Sequence, residues 1–269
     1  SGAKIFRKSQ DALRSTLNKR NIFYKWHETT PNISDKLQHI FSEEFDRVII
    51  IGGDGTVREI AQYLLDHKIH IPIGILAQGS GNVLASSLGI PVIPIKRALL
   101  FALEQDPQPL DVMRINNHHY ALIVAGQGYD SLFVRGATRR LKQQIGIFAY
   151  VFSFFRTFFF CKSHRYQLII DGERQIISGK LAIAVNLISF AGISPDRSIS
   201  PCDGLLDVFV FDPKSFWEHS AIAWAFLLKR HRKPTPFLQV FRGKHIKIKQ
   251  YKGRHIQIDG DVLCDNSLD

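Results

Sequence analysis

The apolar run Val48-Ile49-Ile50-Ile51 stops at Gly52-Gly53-Asp54-Gly55-Thr56. Val57, Ile60, Ala61, Leu64 and Leu65 then follow at helical spacing. A buried strand, a tight glycine turn and a helix N-terminus satisfy that order, and few other folds of the segment do. Such a turn brings backbone N–H groups and the positive end of a helix dipole close to an anion, with no side chains in the way. The same residues have a structural reading. Thr56 and Glu59 fit a capping box, threonine as N-cap and glutamate at N3, and glycines at a strand-to-helix turn can serve the backbone alone.

The pattern recurs. Ile71-Pro72-Ile73-Gly74-Ile75-Leu76 reads as a strand and runs into Gln78-Gly79-Ser80-Gly81-Asn82, which opens a short helix ending near Leu88. Helices are predicted over 4–20, 34–45, 57–67 and 95–105, with strands at 23–26 and 47–51. Alternating strand and helix predicts a parallel α/β domain. Two glycine loops at the ends of neighbouring strands form a crevice for a nucleotide.

Beyond Pro107–Asp111 the pattern changes. A hairpin around Asn116-Asn117 and a long helical segment over 131–160 come first. Strands then follow, separated by turn pairs at Asp171-Gly172, Ser178-Gly179, Asp203-Gly204, Lys252-Gly253 and Asp259-Gly260. One helix over 215–229 interrupts them. The fold expected is α/β: an N-terminal parallel α/β nucleotide-binding domain over 1–108 and a C-terminal β-rich, sandwich-like domain over 109–269, whose end can return to the first.

Composition narrows the partners. A formal charge of +11 favours acidic ones: nucleic acid, anionic headgroups or phosphorylated ligands. No aromatic-interleaved recognition motif accompanies the basic residues, so nucleic acid is not expected. Cys161, Cys202 and Cys264 are widely spaced and odd in number, which argues against a disulfide framework and for a reducing cytoplasm. The N-terminus lacks the apolar stretch of a signal peptide. Residues 147–160 are too short and, with Arg156, too interrupted for a membrane span; core packing is the first reading and a lipid-facing role the second.

Four motifs together resemble the diacylglycerol kinase catalytic family, which includes sphingosine and ceramide kinases and bacterial soluble lipid kinases. They are Gly52-Gly53-Asp54-Gly55-Thr56 with Glu59; Gly79-Ser80-Gly81-Asn82, where the family usually has threonine at position 80; Ser200-Pro201-Cys202-Asp203-Gly204-Leu205-Leu206-Asp207-Val208; and Asp259-Gly260-Asp261, where the family has D-G-E. Lys142 to Tyr150 resembles the family's junction segment. The family begins with a strand and an N-P-x-S-G loop; Ser1-Gly2 resembles that loop's end, so a strand is expected ahead of it.

The resemblance implies roles. Gly52, Gly53, Asp54, Gly55, Thr56 and Glu59, with Gly79, Ser80 and Asn82, would hold ATP phosphates, and Thr30 would contact ATP. Asp54 would orient the ATP-bound Mg²⁺ through water. Asp203, with the Ser200 and Leu205 carbonyls, would form a second, structural Mg²⁺ site; a plain turn is the competing reading. Asp259 and Asp261 would carry the chemistry, accepting the proton of a lipid alcohol as the γ-phosphoryl moves. Alternation over His255, Ile256, Gln257, Ile258 and Asp259 points Asp259 away from the core with His255 and Gln257. The expected protein is a cytoplasmic, peripherally membrane-associated lipid kinase acting on diacylglycerol or a sphingoid-type base at an anionic membrane surface, and a homodimer is compatible with it. NAD kinases share G-G-D-G-T and are the first alternative. A non-catalytic lipid- or nucleotide-binding relative is the second.

Overall fold

Gly74 has so little room that an added Cβ would lie 2.8 Å from the Cβ of Ala102. Close helix–strand packing of this kind organises the first of two compact units, residues 1–108 and 109–269. The computed structural model describes residues 2–28, 34–41, 43–128, 162–187, 199–228, 233–250 and 256–263.

The first unit runs α1 (Gly2–Lys19), α2 (Ser34–Ile40), β1 (Val48–Gly52), α3 (Asp54–Asp66), β2 (Ile73–Ala77), α4 (Val83–Ser87) and α5 (Ile95–Glu104). β1 and β2 pair in parallel, Val48 opposite Ile73 through Gly52 opposite Ala77. Leu13 and Leu17 of α1, Leu76 of β2 and Ala98, Leu99 and Ala102 of α5 form one buried cluster. Val57, Ile60, Ala61 and Leu64 form the buried stripe of α3, the spacing that marked this helix in the sequence.

Three local expectations change. Helix α3 starts at Asp54, ahead of Thr56, with Gly53 as N-cap and no side chain capping it. The Val57 N–H already donates to the Gly53 carbonyl (3.2 Å), so the first helical bond closes on the glycine and the Thr56–Glu59 capping box does not form. Residues 23–26 form no strand; Tyr24 and Trp26 pack on the α1–α5 cluster while Phe23 is 80% exposed. Helix α2 stops at Ile40, short of the predicted 45.

The second unit contains β3 (Met113–Ile115), β4 (His119–Ala121), β5 (Val124–Gly128), β6 (His164–Ile170), β7 (Glu173–Gly179), β8 (Leu181–Val185), β9 (Leu206–Phe211), α6 (Phe216–Leu227), β10 (Leu238–Gly243), β11 (Ile246–Gln250), β12 (Ile256–Ile258) and β13 (Asp261–Leu263). Six strands form one sheet in the order β10-β9-β8-β5-β12-β13, and β11-β6-β7 form a second. Strand β9 shows how the layers arise. Val208 and Val210 face the cluster shared with Tyr166, Leu168 and Ile248 of the three-stranded sheet. Phe209 and Phe211 face the opposite way, where Ile222 and Phe226 of α6 cover them. The side-chain period of two thus gives a sheet–sheet layer on one side and a helix on the other. The predicted helix over 131–160 lies outside the described residues.

The turn pairs behave unequally. Asn116-Asn117 (φ 49° and 61°), Asp171-Gly172 (49° and 93°) and Asp259-Gly260 (48° and 94°) all have positive φ at both positions, as tight antiparallel hairpins require. Ser178-Gly179 is not a turn: β7 continues through it. Gly179 is needed there because a Cβ would lie 2.6 Å from a Val210 methyl.

His219, on the inner side of α6, hydrogen-bonds through Nδ1 with the Ser215 carbonyl (2.9 Å), and its burial pushes the imidazole below its ordinary value of 6.5. The unfolded chain therefore binds a proton that the folded chain resists. Stability should be full above about pH 6.5, fall as pH drops below it, and level off below the folded value. Urea midpoints between pH 5 and 8 should show that slope, and a His219→Gln variant should flatten it.

Candidate functional site

In the first unit the two glycine loops touch through their backbones. A Cβ on Gly79 would lie 2.6 Å from the Gly53 Cα and 3.0 Å from the Asn82 Oδ1; one on Gly53 would lie 3.1 Å from the Gly79 Cα. Only glycine permits that approach at position 79. The Gln78 N–H donates to the Gly52 carbonyl (2.8 Å), extending the β1–β2 pairing into the loops. Asn82 adopts a left-handed conformation (φ 50°), and its Oδ1 accepts the Gly79 N–H at 2.7 Å, closing the second loop on itself.

Asp54 links the two loops. Its Oδ2 accepts the Val83 N–H and its Oδ1 the Leu84 N–H, each at 3.0 Å. These are the first donors of α4, so the carboxylate caps a neighbouring helix. The expectation that Asp54 orients a water-coordinated Mg²⁺ meets a side chain whose two oxygens already hold backbone. The N-terminus of α3 is different. Asp54, Gly55 and Thr56 supply its first N–H groups, and no side chain caps it. Gly55 is exposed, with nothing within 4 Å of an added Cβ, and Ser80 and Glu59 are exposed as well. The arrangement offers oriented donors to an anion. Thr30 lies outside the described residues.

In the second unit the D-G-D hairpin joins β12 to β13, Ile258 opposite Asp261. Asp259 Oδ2 accepts the Leu122 N–H (2.7 Å), and Oδ1 accepts those of Ile123 and Val124 (both 2.9 Å). Its own N–H donates to the Val124 carbonyl at 2.9 Å. Asn186 holds the same bend from the other side, donating through Nδ2 to the Leu122 carbonyl (3.0 Å) and the Asp111 carbonyl (2.7 Å). Asp259 is therefore a backbone anchor. Asp261, on the far limb of the turn, is exposed. The expected alternation fails at Gln257, which is 4% exposed: all three residues of β12 are buried. His255 lies outside the described residues.

The Asp203 loop is also held by its own chain. Asp203 Oδ1 accepts the Leu205 N–H (3.0 Å), and Oδ2 pairs with the Arg242 guanidinium. Asp111 accepts the Gly204 N–H at 2.6 Å, and Ser200 Oγ lies 3.7 Å from Cys202 Sγ. Mg²⁺ selects several oxygen donors and negative charge. Among the described residues no cluster of three or more His, Cys, Asp or Glu side chains is suited to a metal. With Asp203 paired to a cation and its other oxygen closing the turn, Ser200, Asp203 and Leu205 do not fit a resident Mg²⁺ as arranged. Sequence reasoning missed Arg242, Asp111 and Asn186. Each is remote in sequence from the loop it holds and sits in no motif.

Residues 1–115 match the model of the diacylglycerol kinase catalytic domain. A Staphylococcus aureus strain JH9 protein named "Putative lipid kinase" is 27% identical over 230 residues, covering 85% of this chain and 75% of that protein. A strain Newman protein of the same name matches to the same extent. Two solved structures from Bacillus anthracis strain Sterne, each of a "putative diacylglycerol kinase", share the fold. One has a TM-score of 0.70 at 21% identity, the other 0.71 at 22%; each covers 92% of this chain and 82% of its own.

The Gly53–Gly79 contact sets a graded test. Gly79→Ala should destabilise the protein by about 1–3 kcal/mol, because backbone atoms must move apart. Gly55→Ala, in open space inside a helix, should be neutral or slightly stabilising. Urea denaturation of the two variants checks the contrast.

Proposed function

We propose that the chain, whose residues 1–115 match the model of the diacylglycerol kinase catalytic domain, is an ATP-dependent lipid kinase of that family. It transfers the γ-phosphoryl group to the hydroxyl of a lipid alcohol, diacylglycerol or a sphingoid-type base, at the surface of an anionic membrane in the cytoplasm. The observation that carries the reading is the pair of glycine loops held in backbone contact beside the uncapped α3 N-terminus. Gly53, Gly55 and Thr56, with Gly79 and Ser80 opposite, supply a low-profile wall of donors for the ATP phosphates. Magnesium would enter with ATP and would offset the charge of its phosphates.

The two acids of the D-G-D turn divide the work in this reading. Asp259, holding three backbone N–H groups, is a positioning residue. Asp261 is exposed at the turn and takes the hydroxyl proton as the lipid oxygen bonds to the γ-phosphorus and the bond to ADP breaks. Three charge-assisted bonds fix where that carboxylate is presented.

Labelled MgATP offered to diacylglycerol, sphingosine and NAD in detergent micelles should phosphorylate a lipid and leave NAD untouched. Asp261→Asn should lower kcat by about 10²–10⁴-fold with an unchanged unfolding midpoint. Asp259→Asn should instead destabilise the fold by about 3 kcal/mol, since an amide cannot accept three N–H bonds as a carboxylate does. Full turnover by Asp261→Asn removes it from the chemistry. Nucleotide binding without lipid phosphorylation overturns the kinase reading.

A further inference from the structure

Helix α6 carries apolar residues on its outer side as well as its inner one, and the outer ones are exposed. Its inner side is accounted for: Ile222 and Phe226 pack on the six-stranded sheet, with Phe226 against Phe209 and Phe211 at centroid distances of 5.4 and 6.1 Å. On the outer side Trp217 is 79% exposed, Trp224 60% and Leu228 56%. With exposed Ala221 they fall at i, i+4, i+7 and i+11, inside a sector of about 60° opposite Ile222 and Phe226. Phe216, 50% exposed, flanks this stripe and meets the Trp217 ring edge-on at 5.8 Å. A helix covering a sheet in water ordinarily has a polar outer face.

The sequence flanking the stripe is mostly basic. The only acid on α6 is Glu218, and its carboxylate accepts the N–H groups of Lys214 and Ser215 in the helix cap. Lys214 and Lys233 are exposed, and the sequence directly after Leu228 reads Lys229-Arg230-His231-Arg232-Lys233. Tryptophan beside leucine, bordered by cations, matches the boundary between headgroups and acyl chains of an anionic bilayer. Clustered lysine and arginine add attraction to acidic headgroups. At 12 residues α6 is too short to cross a bilayer, so its contact would lie in the plane of the surface.

We propose that the outer face of α6 is a membrane-docking surface: Trp217, Trp224 and Leu228 enter the interfacial layer of an anionic bilayer and Lys214 and Lys233 meet its headgroups. The proposal rests on the reading that the protein works at a membrane, and it names the face that makes the contact.

The test is partition to vesicles of phosphatidylcholine with 30 mol% phosphatidylglycerol (~30 mol% as a working composition, in the range where basic residues respond to anionic lipid). The full chain carries Trp26→Phe, so that Trp217 and Trp224 alone report. Binding should blue-shift their emission, and bromine-labelled acyl chains should quench it. Trp217→Ser with Trp224→Ser should weaken partition at least about tenfold, as loss of two interfacial aromatics implies. Lys233→Glu should weaken it only on the anionic vesicles. ATP-dependent phosphorylation of a short-chain substrate in micelles serves as the folding check and should be unchanged in both variants. Full vesicle binding by the double serine variant with no quenching in the wild type overturns this docking face and leaves a membrane role to other basic residues. Failure of the wild type to bind any vesicle overturns both. Sedimentation showing a dimer that the serine variant loses, without vesicle binding, assigns the face to a second copy of the chain instead.

Discussion

The second unit depends on one carboxylate. Asp259 gathers the N–H groups of Leu122 and Ile123, in the bend between β4 and β5, and of Val124, the first residue of β5. Left unpaired in a half-buried place, each would cost on the order of 1–3 kcal/mol. The acceptor comes from a hairpin more than 130 residues later (the bonds span 135 to 137 positions). That hairpin's strand β12 sits between β5 and β13, so the same contact fixes the register of the sheet. Asn186 completes the bend from the other side, and the core of both sheets packs behind it.

The first unit repeats the device. Asp54 lies in a motif that looks built for phosphate, yet its oxygens cap α4. Gly53 and Gly79 beside it are required by a backbone contact as much as by any ligand. In both motifs, then, the most conspicuous acid holds the scaffold, and the groups left facing outward are backbone donors at one place and Asp261 at the other. Binding sites benefit from this separation. A carboxylate tied to several N–H groups is rigid, and a rigid neighbour presents the reacting group in one geometry.

Much of this was legible in the sequence, and the failures have physical causes. Strand β1, the glycine turn and α3 could be read because three signals agree there: an apolar run, a turn that needs glycine, and a stripe at helical spacing. The positive-φ turns at Asn116-Asn117, Asp171-Gly172 and Asp259-Gly260 were equally plain. Ser178-Gly179 carried the same signature for another reason, a strand crossing with no space for a Cβ. Gln257 defeated the alternation rule because all three residues of β12 are buried, which only the packing reveals. Arg242 could not have been paired with Asp203 from sequence, since such a pair depends on β9 and β10 lying side by side. The exposed stripe on α6 was hidden too: composition shows an apolar helix, but only the packing shows which half is covered.

The anchor at Asp259 also sets when this protein can begin to work. A chain emerging from the ribosome exposes Leu122, Ile123 and Val124 long before Asp259, and β5 waits as long for β12 to pair beside it. Such distant pairing is slow to form, and open strand edges are prone to associate wrongly meanwhile. The turn that presents Asp261 therefore takes shape only after the 135 to 137 positions separating it from the bend have been made, so a nascent chain can complete its glycine loops well before it acquires the group proposed to use what they hold.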